Sequence, residues 1–305
     1  RFRFLQTVND SMPENTRPNV LVIHCDQLRY DGLGCTGDPS NPTPNIDALA
    51  ASGTLFRRHY VSNPICQPSR ATLMTGLMPP GHNVWTNGVH LPRQDHRPRA
   101  GTWWHREEPN LEHGQATTMA DSFALAGYRT GAFGKLHLQN FRGNTPESPE
   151  RYCSWPNCHD FDDWHGPYYG FQHVDMMVGH QAQQYAQMGH YSRWLRDQAP
   201  GLVERVPERV NELKVTDLLG DAFLSPIPHE LQYTGWLAER FIDWMEHQDG
   251  PFCAFVGFPG PHHAFAPSED VWDRFQDAPV REPVDFAGES LAGRPCFRRR
   301  IEFHP

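Results

Sequence analysis

Polar side chains follow three separate apolar stretches of this chain. They are Asp26 and Gln27 after the first stretch, Lys135 and His137 after the second, and His262 and His263 after the third. A carboxylate oxygen beside an amide oxygen suits a hard divalent cation. Lysine and histidine donors at the same place suit a tetrahedral oxyanion. If the stretches end together, the pattern predicts a cation and an anion bound side by side.

A candidate nucleophile stands between the first two stretches, at Cys66. The cysteine comes just before a predicted helix that starts at Ser69 and runs to Thr75, and a helix N-terminus favours negative charge. Arg70 lies one turn further along and can reach back towards the thiol. Thiols and arginines are common at this spacing, so the pair alone does not define a reaction.

The apolar stretches have the length and composition of buried strands. They span residues 19–25, 128–133 and 251–258. Helices are predicted at residues 44–53, 118–126 and 231–247. Apolar strands that alternate with helices predict an α/β fold with a mostly parallel central sheet flanked by helices on both faces. Ligands of such sheets bind at the carboxyl ends of the strands, where the polar residues stand.

Two units are expected along the chain. Residues 1–17 are polar and irregular and are predicted to form an N-terminal arm, whereas residues 18–305 form the α/β domain. Within the domain, residues 54–56 and 60–61 resemble short strands, and residues 138–229 are predicted to be irregular. The chain begins with Arg1 rather than methionine and ends at Pro305 shortly after an arginine run, so we expect both ends to be incomplete.

Composition excludes several classes of protein. The 305 residues carry 27 Lys+Arg against 36 Asp+Glu, a formal net charge of -9, which argues against a general nucleic-acid binder. No apolar run approaches 18 residues, so no membrane span is predicted.

Seven cysteines do not make a disulfide framework. Cys153 and Cys158 are expected to be loop thiols or one local disulfide. No signal peptide is visible, which favours a cytoplasmic over a periplasmic or secreted location. A homo-oligomer is also compatible with this sequence.

Five segments occur in a fixed order along the chain. The central one reads Cys66-Gln67-Pro68-Ser69-Arg70 and continues as Leu73-Met74-Thr75-Gly76. The others are residues 18–27, 43–50, 126–137 and 261–262. Together they resemble the sulfatase family of the alkaline-phosphatase-like superfamily. The resemblance implies that residues 18–305 are the N-terminal catalytic α/β domain of a sulfuric ester hydrolase, with its C-terminal part missing.

The resemblance implies a covalent mechanism based on Cys66. A separate maturation enzyme oxidises the family cysteine to formylglycine, whose aldehyde hydrates to a gem-diol. One hydroxyl attacks the sulfur of a sulfate ester, and the other lets the covalent adduct collapse back to the aldehyde. A divalent cation, usually Ca²⁺ with Mn²⁺ or Mg²⁺ as alternatives, lowers the pKa of the diol. The implied substrate is a sulfated small molecule or carbohydrate.

Roles for single residues follow from the same resemblance. Asp26, Gln27 and Cys66 match metal-ligand positions, Arg70 and His137 match residues that hold the diol, and Lys135 and His262 match groups that bind sulfate or assist the leaving oxygen. His263 is the alternative to His262, because the family has proline where this chain has Ala264. Asn87 is expected to line the substrate pocket.

Two departures from the family pattern keep alternatives open. The Asp26-Gln27 pair resembles choline sulfatases and phosphonate monoester hydrolases rather than the many sulfatases with two aspartates. Hydrolysis of a phosphonate monoester or phosphodiester by the same residues is therefore the first alternative. The second metal-binding segment of the family, an Asp followed by Asn or His and Gly, does not appear in the sequence. An inactive fragment or a non-catalytic binding protein is therefore the second alternative.

Overall fold

The structure is a computed structural model of the chain. It describes residues 17–37, 40–92, 118–140, 148–150, 163–179, 189–206, 222–275 and 277–278. The predicted N-terminal arm, apart from residue 17, and the Cys153 and Cys158 pair lie outside the described residues.

A parallel four-stranded sheet forms the centre of the described chain. Its strands are β1 (Val20–Cys25), β2 (Arg129–Gly134), β3 (His173–Met176) and β4 (Phe252–Phe258). Their order is β1-β4-β2-β3, and every pairing between them is parallel. Strand β4 lies between β1 and β2 and is buried along almost its whole length, as its continuous apolar sequence predicts.

The register brings the polar residues to one edge of the sheet. Cys25 pairs with Phe258 at the end of β1, and Gly134 pairs with Gly257 at the end of β2. The ladder then continues for one residue on each side. The Asp26 amide donates to the carbonyl of Phe258 at 3.0 Å, and the Lys135 amide donates to that of Gly257 at 2.8 Å. The residues that follow β1, β2 and β4 therefore leave the sheet together.

The described helices are α1 (Pro44–Ser52), α2 (Cys66–Thr75), α3 (Pro79–His82), α4 (Met119–Leu125), α5 (Gly189–Gln198), α6 (Tyr233–Glu246) and α7 (Glu269–Phe275). Of these, α2, α4, α5 and α6 cover the two faces of the sheet. Short 3₁₀ helices occupy Tyr30–Gly32, Gly34–Thr36 and His229–Leu231. No described helix is both long and apolar enough to span a bilayer.

Alternation along the central strands divides the core into two layers. Ala132 and Phe255 belong to a cluster that includes residues of α2 and α4. Phe133 and Val256 belong to a second cluster with residues of α5 and α6. The expected α/β fold, with a parallel sheet between two helical layers, is confirmed.

Three local predictions were wrong. Residues 54–56 and 60–61 form no strands; Phe56 and Tyr60 are exposed, and no neighbouring strand pairs with either stretch. Helix α2 begins at Cys66 rather than Ser69. Its Pro68 lies in the first turn, where backbone amides have no partner within the helix, so the missing N–H is tolerated there. The interval 138–229, expected to be irregular, contains β3 and α5.

Candidate functional site

A buried carboxylate lies at the carboxyl edge of the sheet, between two cations. Asp26 is 5% exposed, and its Oδ2 contacts the Nζ of Lys135, which is 2% exposed. The Nη2 of Arg70 lies 3.7 Å from the same Oδ2. Three charged side chains from β1, β2 and α2 therefore meet out of contact with bulk water.

The guanidinium of Arg70 has unused hydrogen-bonding capacity. Its Nη1 donates to the carbonyl of Lys135 at 2.5 Å. Its Nε and Nη2 are buried and have no hydrogen-bond partner among the described residues. Burial lowers the pKa of Arg70, although the Asp26 carboxylate opposes this shift. Buried donors of this kind are costly unless an acceptor satisfies them, so the arrangement suits a bound anion.

The ammonium group of Lys135 is also perturbed by its surroundings. Burial and the nearby Arg70 charge lower its pKa to about 8, and the contact with Asp26 acts in the opposite direction. A lysine with such a pKa is charged at neutral pH and can release a proton in mildly alkaline solution. It can therefore bind an anion or donate a proton to a leaving oxygen.

Cys66 is the first residue of α2, and this places it next to the carboxylate. Ligand atoms of Asp26, Cys66 and His262 all lie within 4.8 Å of one another. A helix N-terminus carries partial positive charge, so negative charge at Cys66 is stabilised there. The structure thus brings the predicted nucleophile to the predicted cation site.

The two histidines after β4 have different partners. His262 joins Asp26 and Cys66, and burial lowers the pKa of its imidazole. His263 is exposed, and its Nδ1 lies 3.2 Å from the Oε1 of Gln27. Because an amide oxygen only accepts, this Nδ1 carries the proton and orients the glutamine. His262 therefore lies beside Asp26 and Cys66 in a partly buried position, whereas His263 holds Gln27.

His137 lies on the segment that follows Lys135. Its side chain is 1% exposed, and its backbone has a φ of 55°, in the left-handed region. Gln27, which follows Asp26, has a similar φ of 60°. Both predicted site residues thus stand where the chain turns sharply away from the sheet edge.

Asn87 lies beside the start of α2. Its Oδ1 accepts a hydrogen bond from the Gln67 amide at 3.1 Å, which satisfies one of the open amides of the first turn. The side chain of Gln67 is fully buried and joins this turn to its neighbours. Its Oε1 accepts from the Gly88 amide at 2.7 Å, and its Nε2 donates to the carbonyls of Val89 and Leu138.

Glu150 is a buried residue that sequence reasoning missed. It accepts hydrogen bonds from the backbone directly after His137 and from Tyr168. Neither glutamate nor tyrosine stands in a motif, so no local pattern identifies this contact. Gln67 lies inside the cysteine motif, but its structural importance follows only from its burial.

A second group of ionisable residues surrounds Asp175 on β3. His165 Nδ1 and His173 Nε2 lie 2.8 Å and 3.1 Å from its two oxygens. His190 contributes a third imidazole, whose Nδ1 accepts the Met176 amide at 2.7 Å. This acceptor role places the proton of a neutral His190 on Nε2, so neither nitrogen is available to a metal. The group is best described as a hydrogen-bonded carboxylate–imidazole cluster.

Comparison with known proteins identifies relatives of the whole described fold. The sequence model of the Sulfatase family matches residues 18–282. N-acetylgalactosamine-6-sulfatase of Mus musculus is 35% identical over 152 residues, which are 49% of this chain and 25% of that protein. An arylsulfatase of Clostridium perfringens is 27% identical over 274 residues, which are 88% of this chain and 48% of that protein.

A solved structure shows the same likeness. The crystal structure of the phosphonate monoester hydrolase of Agrobacterium radiobacter superimposes with a TM-score of 0.57 and 28% identity. The match covers 87% of this chain and 45% of that one. The chain thus spans about half or less of the length of these relatives.

Proposed function

Because the chain belongs to the sulfatase family, we propose that the protein hydrolyses a sulfate monoester through a nucleophile formed at Cys66. One observation carries the proposal. Cys66 starts α2 beside Asp26, while the buried Arg70 of the same helix keeps two donor nitrogens without a hydrogen-bond partner among the described residues. A nucleophile, a counter-ion and unsatisfied donors at one edge suit the attack on a tetrahedral anion.

In the proposed reaction, a separate maturation enzyme first converts Cys66 to formylglycine, supplying the oxidant and removing the thiol sulfur, and the aldehyde takes up water as a gem-diol. One diol oxygen loses its proton and forms a bond to the sulfur of the ester while the bond from sulfur to the alcohol oxygen breaks, and the alcohol oxygen takes up a proton from Lys135 or His262. The second hydroxyl then loses its proton, the aldehyde forms again, and sulfate leaves. Water therefore need not attack a sulfated enzyme directly.

The surrounding residues take complementary roles. Arg70 and His137 hold the diol, and Lys135 and His262 bind sulfate oxygens or protonate the leaving alcohol. The side chains of Arg70 and Lys135 are nearly fully buried, which makes their interaction with an anion stronger than it would be in water. A single preorganised donor of this kind contributes about 3–4 kcal/mol to lowering the barrier.

Asp26 and Gln27 would hold a divalent cation, with the oxygen of the matured Cys66 as a further ligand. Carboxylate, amide and diol oxygens are hard donors, so Ca²⁺ is the proposed ion and Mn²⁺ or Mg²⁺ are alternatives. When bound, the cation stabilises developing negative charge and lowers the pKa of the diol. His263 supports this arrangement because it orients the amide oxygen of Gln27.

A second candidate function is phosphonate monoester hydrolysis. The Asp26-Gln27 pair favours it, and so does the likeness to a phosphonate monoester hydrolase at 28% identity. For the sulfatase proposal, the named sulfatase relatives suggest a sulfated sugar or aryl alcohol as the substrate. A non-catalytic role is the remaining alternative, since the second metal-binding segment of the family does not appear in the sequence.

The first prediction concerns the nucleophile. Protein produced with a maturation enzyme should carry formylglycine at Cys66, visible as a mass change of that peptide, and should prefer aryl sulfate over phenylphosphonate. Cys66→Ala should lower kcat by at least about 10³-fold, because the covalent route is lost.

Cys35→Ser provides the control, since Cys35 is another free cysteine and takes no part in the site. It should retain the wild-type rate.

The reverse substrate preference, for phenylphosphonate over aryl sulfate, would establish the phosphonate hydrolase instead. An unmodified thiol, or full activity in Cys66→Ala, would refute the assigned nucleophile. Calorimetry with Ca²⁺ separates both enzymes from a non-catalytic protein, which should bind the ion weakly or not at all.

A further inference from the structure

We propose that Glu150 is a positioning residue of the site, which holds residues 135–139 in the conformation that presents Lys135 and His137 to the substrate. The inference rests on the proposed function. Glu150 does not touch the reacting groups, and it acts through the backbone of the segment that carries them.

The contacts of Glu150 converge on a single oxygen. Its Oε1 accepts the amide of Leu138 at 2.9 Å, the amide of Gln139 at 3.2 Å and the hydroxyl of Tyr168 at 2.5 Å. The residue is 3% exposed, so these groups replace its hydration. Every one of these partners donates, and a carboxylate is a side chain that only accepts.

Residues 135–139 need such an anchor because the sheet ladder stops at their start. The Lys135 amide makes the last bond to β4, and His137 then adopts a φ of 55°, which is unfavourable for a residue with a Cβ. Strained backbone persists only where its surroundings over-determine it. The two amides directly after His137 are the ones that Glu150 binds, so the glutamate fixes the turn next to the residue with the positive φ.

Other contacts also hold residues 135–139 in place. Leu136 and Leu138 are buried in the core, and the carbonyl of Leu138 accepts the amide of Leu91 at 2.9 Å. Gln67 of α2 also donates to this carbonyl. Glu150 thus completes a set of ties that connects the end of β2 to the start of α2, where Cys66 lies.

The ionisation of Glu150 depends on its burial and on its hydrogen bonds. Burial raises the pKa of the Glu150 carboxyl, and the hydrogen bonds from Tyr168 and from the amides of Leu138 and Gln139 oppose this shift. The Oε1 acceptor, rather than a fixed charge, therefore anchors the segment.

The test compares Glu150→Leu with Glu150→Gln and Tyr168→Phe. Leucine has no acceptor, so the amides of Leu138 and Gln139 lose their partner, whereas glutamine keeps an acceptor oxygen without the charge. Tyr168→Phe removes one donor to the same Oε1 and leaves both backbone bonds in place. Glu150→Leu should lower kcat on the preferred ester by about 10- to 100-fold with KM changed less than about threefold, as small displacements of catalytic groups do, and Glu150→Gln should recover most of this loss. Tyr168→Phe should keep kcat within about twofold of wild type.

A second readout does not depend on turnover. Amide hydrogen exchange at residues 135–139 should become faster in Glu150→Leu and stay slow in Glu150→Gln and Tyr168→Phe. If Glu150→Leu does not fold, Glu150→Asp, whose shorter side chain withdraws the acceptor from the two amides, serves in its place and should give an intermediate kcat with the same exchange signature. An unchanged kcat and exchange pattern in folded Glu150→Leu or Glu150→Asp, measured with an active wild type, would overturn the inference. A wild type that cleaves neither aryl sulfate nor phenylphosphonate would count against the proposed function instead.

Discussion

Single charged side chains determine what this site can bind. Asp26, Arg70 and Lys135 lie within contact distance of one another and are nearly excluded from water. Burial lowers the pKa of both cations, the Arg70 charge lowers that of Lys135 further, and the Asp26 carboxylate raises both, so the charge of the site depends on all three. The sequence identified these residues because each follows a strand or stands in the cysteine motif. It could not show that Arg70 is fully buried, since burial depends on what packs over α2.

The titration of Lys135 provides a prediction at this scale. Its pKa of about 8 means that the positive charge is present below that pH and lost above it. We expect kcat/KM to fall about tenfold per pH unit above pH 8, because the neutral amine neither binds an anion nor donates a proton as well.

Lys135→Arg keeps its charge throughout this range, so its profile should stay flat up to about pH 10 at a lower plateau. The lower plateau follows because a guanidinium does not reproduce the geometry of an ammonium group. The same alkaline limb in both proteins would assign the ionisation to another group.

At the level of secondary structure, the junction between β2 and β4 positions Lys135. Gly134 has a φ of 90°, and a Cβ added there would lie 2.3 Å from the carbonyl oxygen of Gly257. A Cβ on Gly257 would in turn lie 2.2 Å from the carbonyl oxygen of Lys135. The two glycines allow the strand ends to approach closely, and this approach aligns the site residues that follow.

Replacement of Gly134 tests this junction. Gly134→Ala should lower the free energy of unfolding by about 2 kcal/mol or more, because alanine is strained at this φ and meets backbone atoms that cannot move aside. Urea titrations of the purified protein measure the loss.

Gly235→Ala is the matched control. Gly235 lies in α6, where an added Cβ meets nothing within 4 Å. The helix should gain up to about 1 kcal/mol from alanine. Equal effects of the two substitutions would show that the β2–β4 approach is not restricted by these atoms.

Elements with strong local patterns were predicted better than those without. Strands β1, β2 and β4 are short apolar runs, and α6 has an apolar face, so each is visible in its own sequence. Strand β3 has only four residues and includes Asp175, so no apolar run marks it. It forms because the outer edge of β2 is open to a further strand. Gly131 of β2 pairs with His173 of β3, and the next three residues of each strand pair in turn.

At the scale of the whole molecule, the cluster around Asp175 connects β3 to the segment before it and to α5. His165 precedes β3, His173 lies in it and His190 belongs to α5. Burial raises the pKa of Asp175. The hydrogen bond from His173 and the charges of the nearby imidazoles lower it by a larger amount, so the pKa lies below the usual value of 3.8. The folded protein therefore prefers this carboxylate in its charged form.

This preference gives a prediction for stability against pH. A carboxyl group with a lowered pKa stabilises the fold above its unfolded pKa, and the contribution is lost as the pH falls through the folded pKa. Wild-type stability should therefore decrease below about pH 4. Asp175→Asn should be less stable than wild type by about 1–3 kcal/mol at pH 6, and it should lose less stability on acidification.

Asp163→Asn supplies the comparison in the same part of the chain. Asp163 is 92% exposed and pairs with Arg193 on the surface, where ion pairs contribute little. Its replacement should leave both the stability and its pH dependence unchanged. If Asp175→Asn lost as much stability as wild type between pH 6 and pH 3, the cluster would not be the source of the acid sensitivity.

The sequence by itself determined the strands that carry the site and the residues that follow them. Runs such as residues 19–25 form strands wherever they are buried, because their pattern and backbone preference are local. Only the tertiary structure decided how these groups meet. Lys135 contacts Asp26 from 109 positions away in the chain, and Glu150, which stands in no motif, binds the turn after β2. Such contacts depend on sheet order and packing, which arise from the whole chain rather than from neighbouring residues.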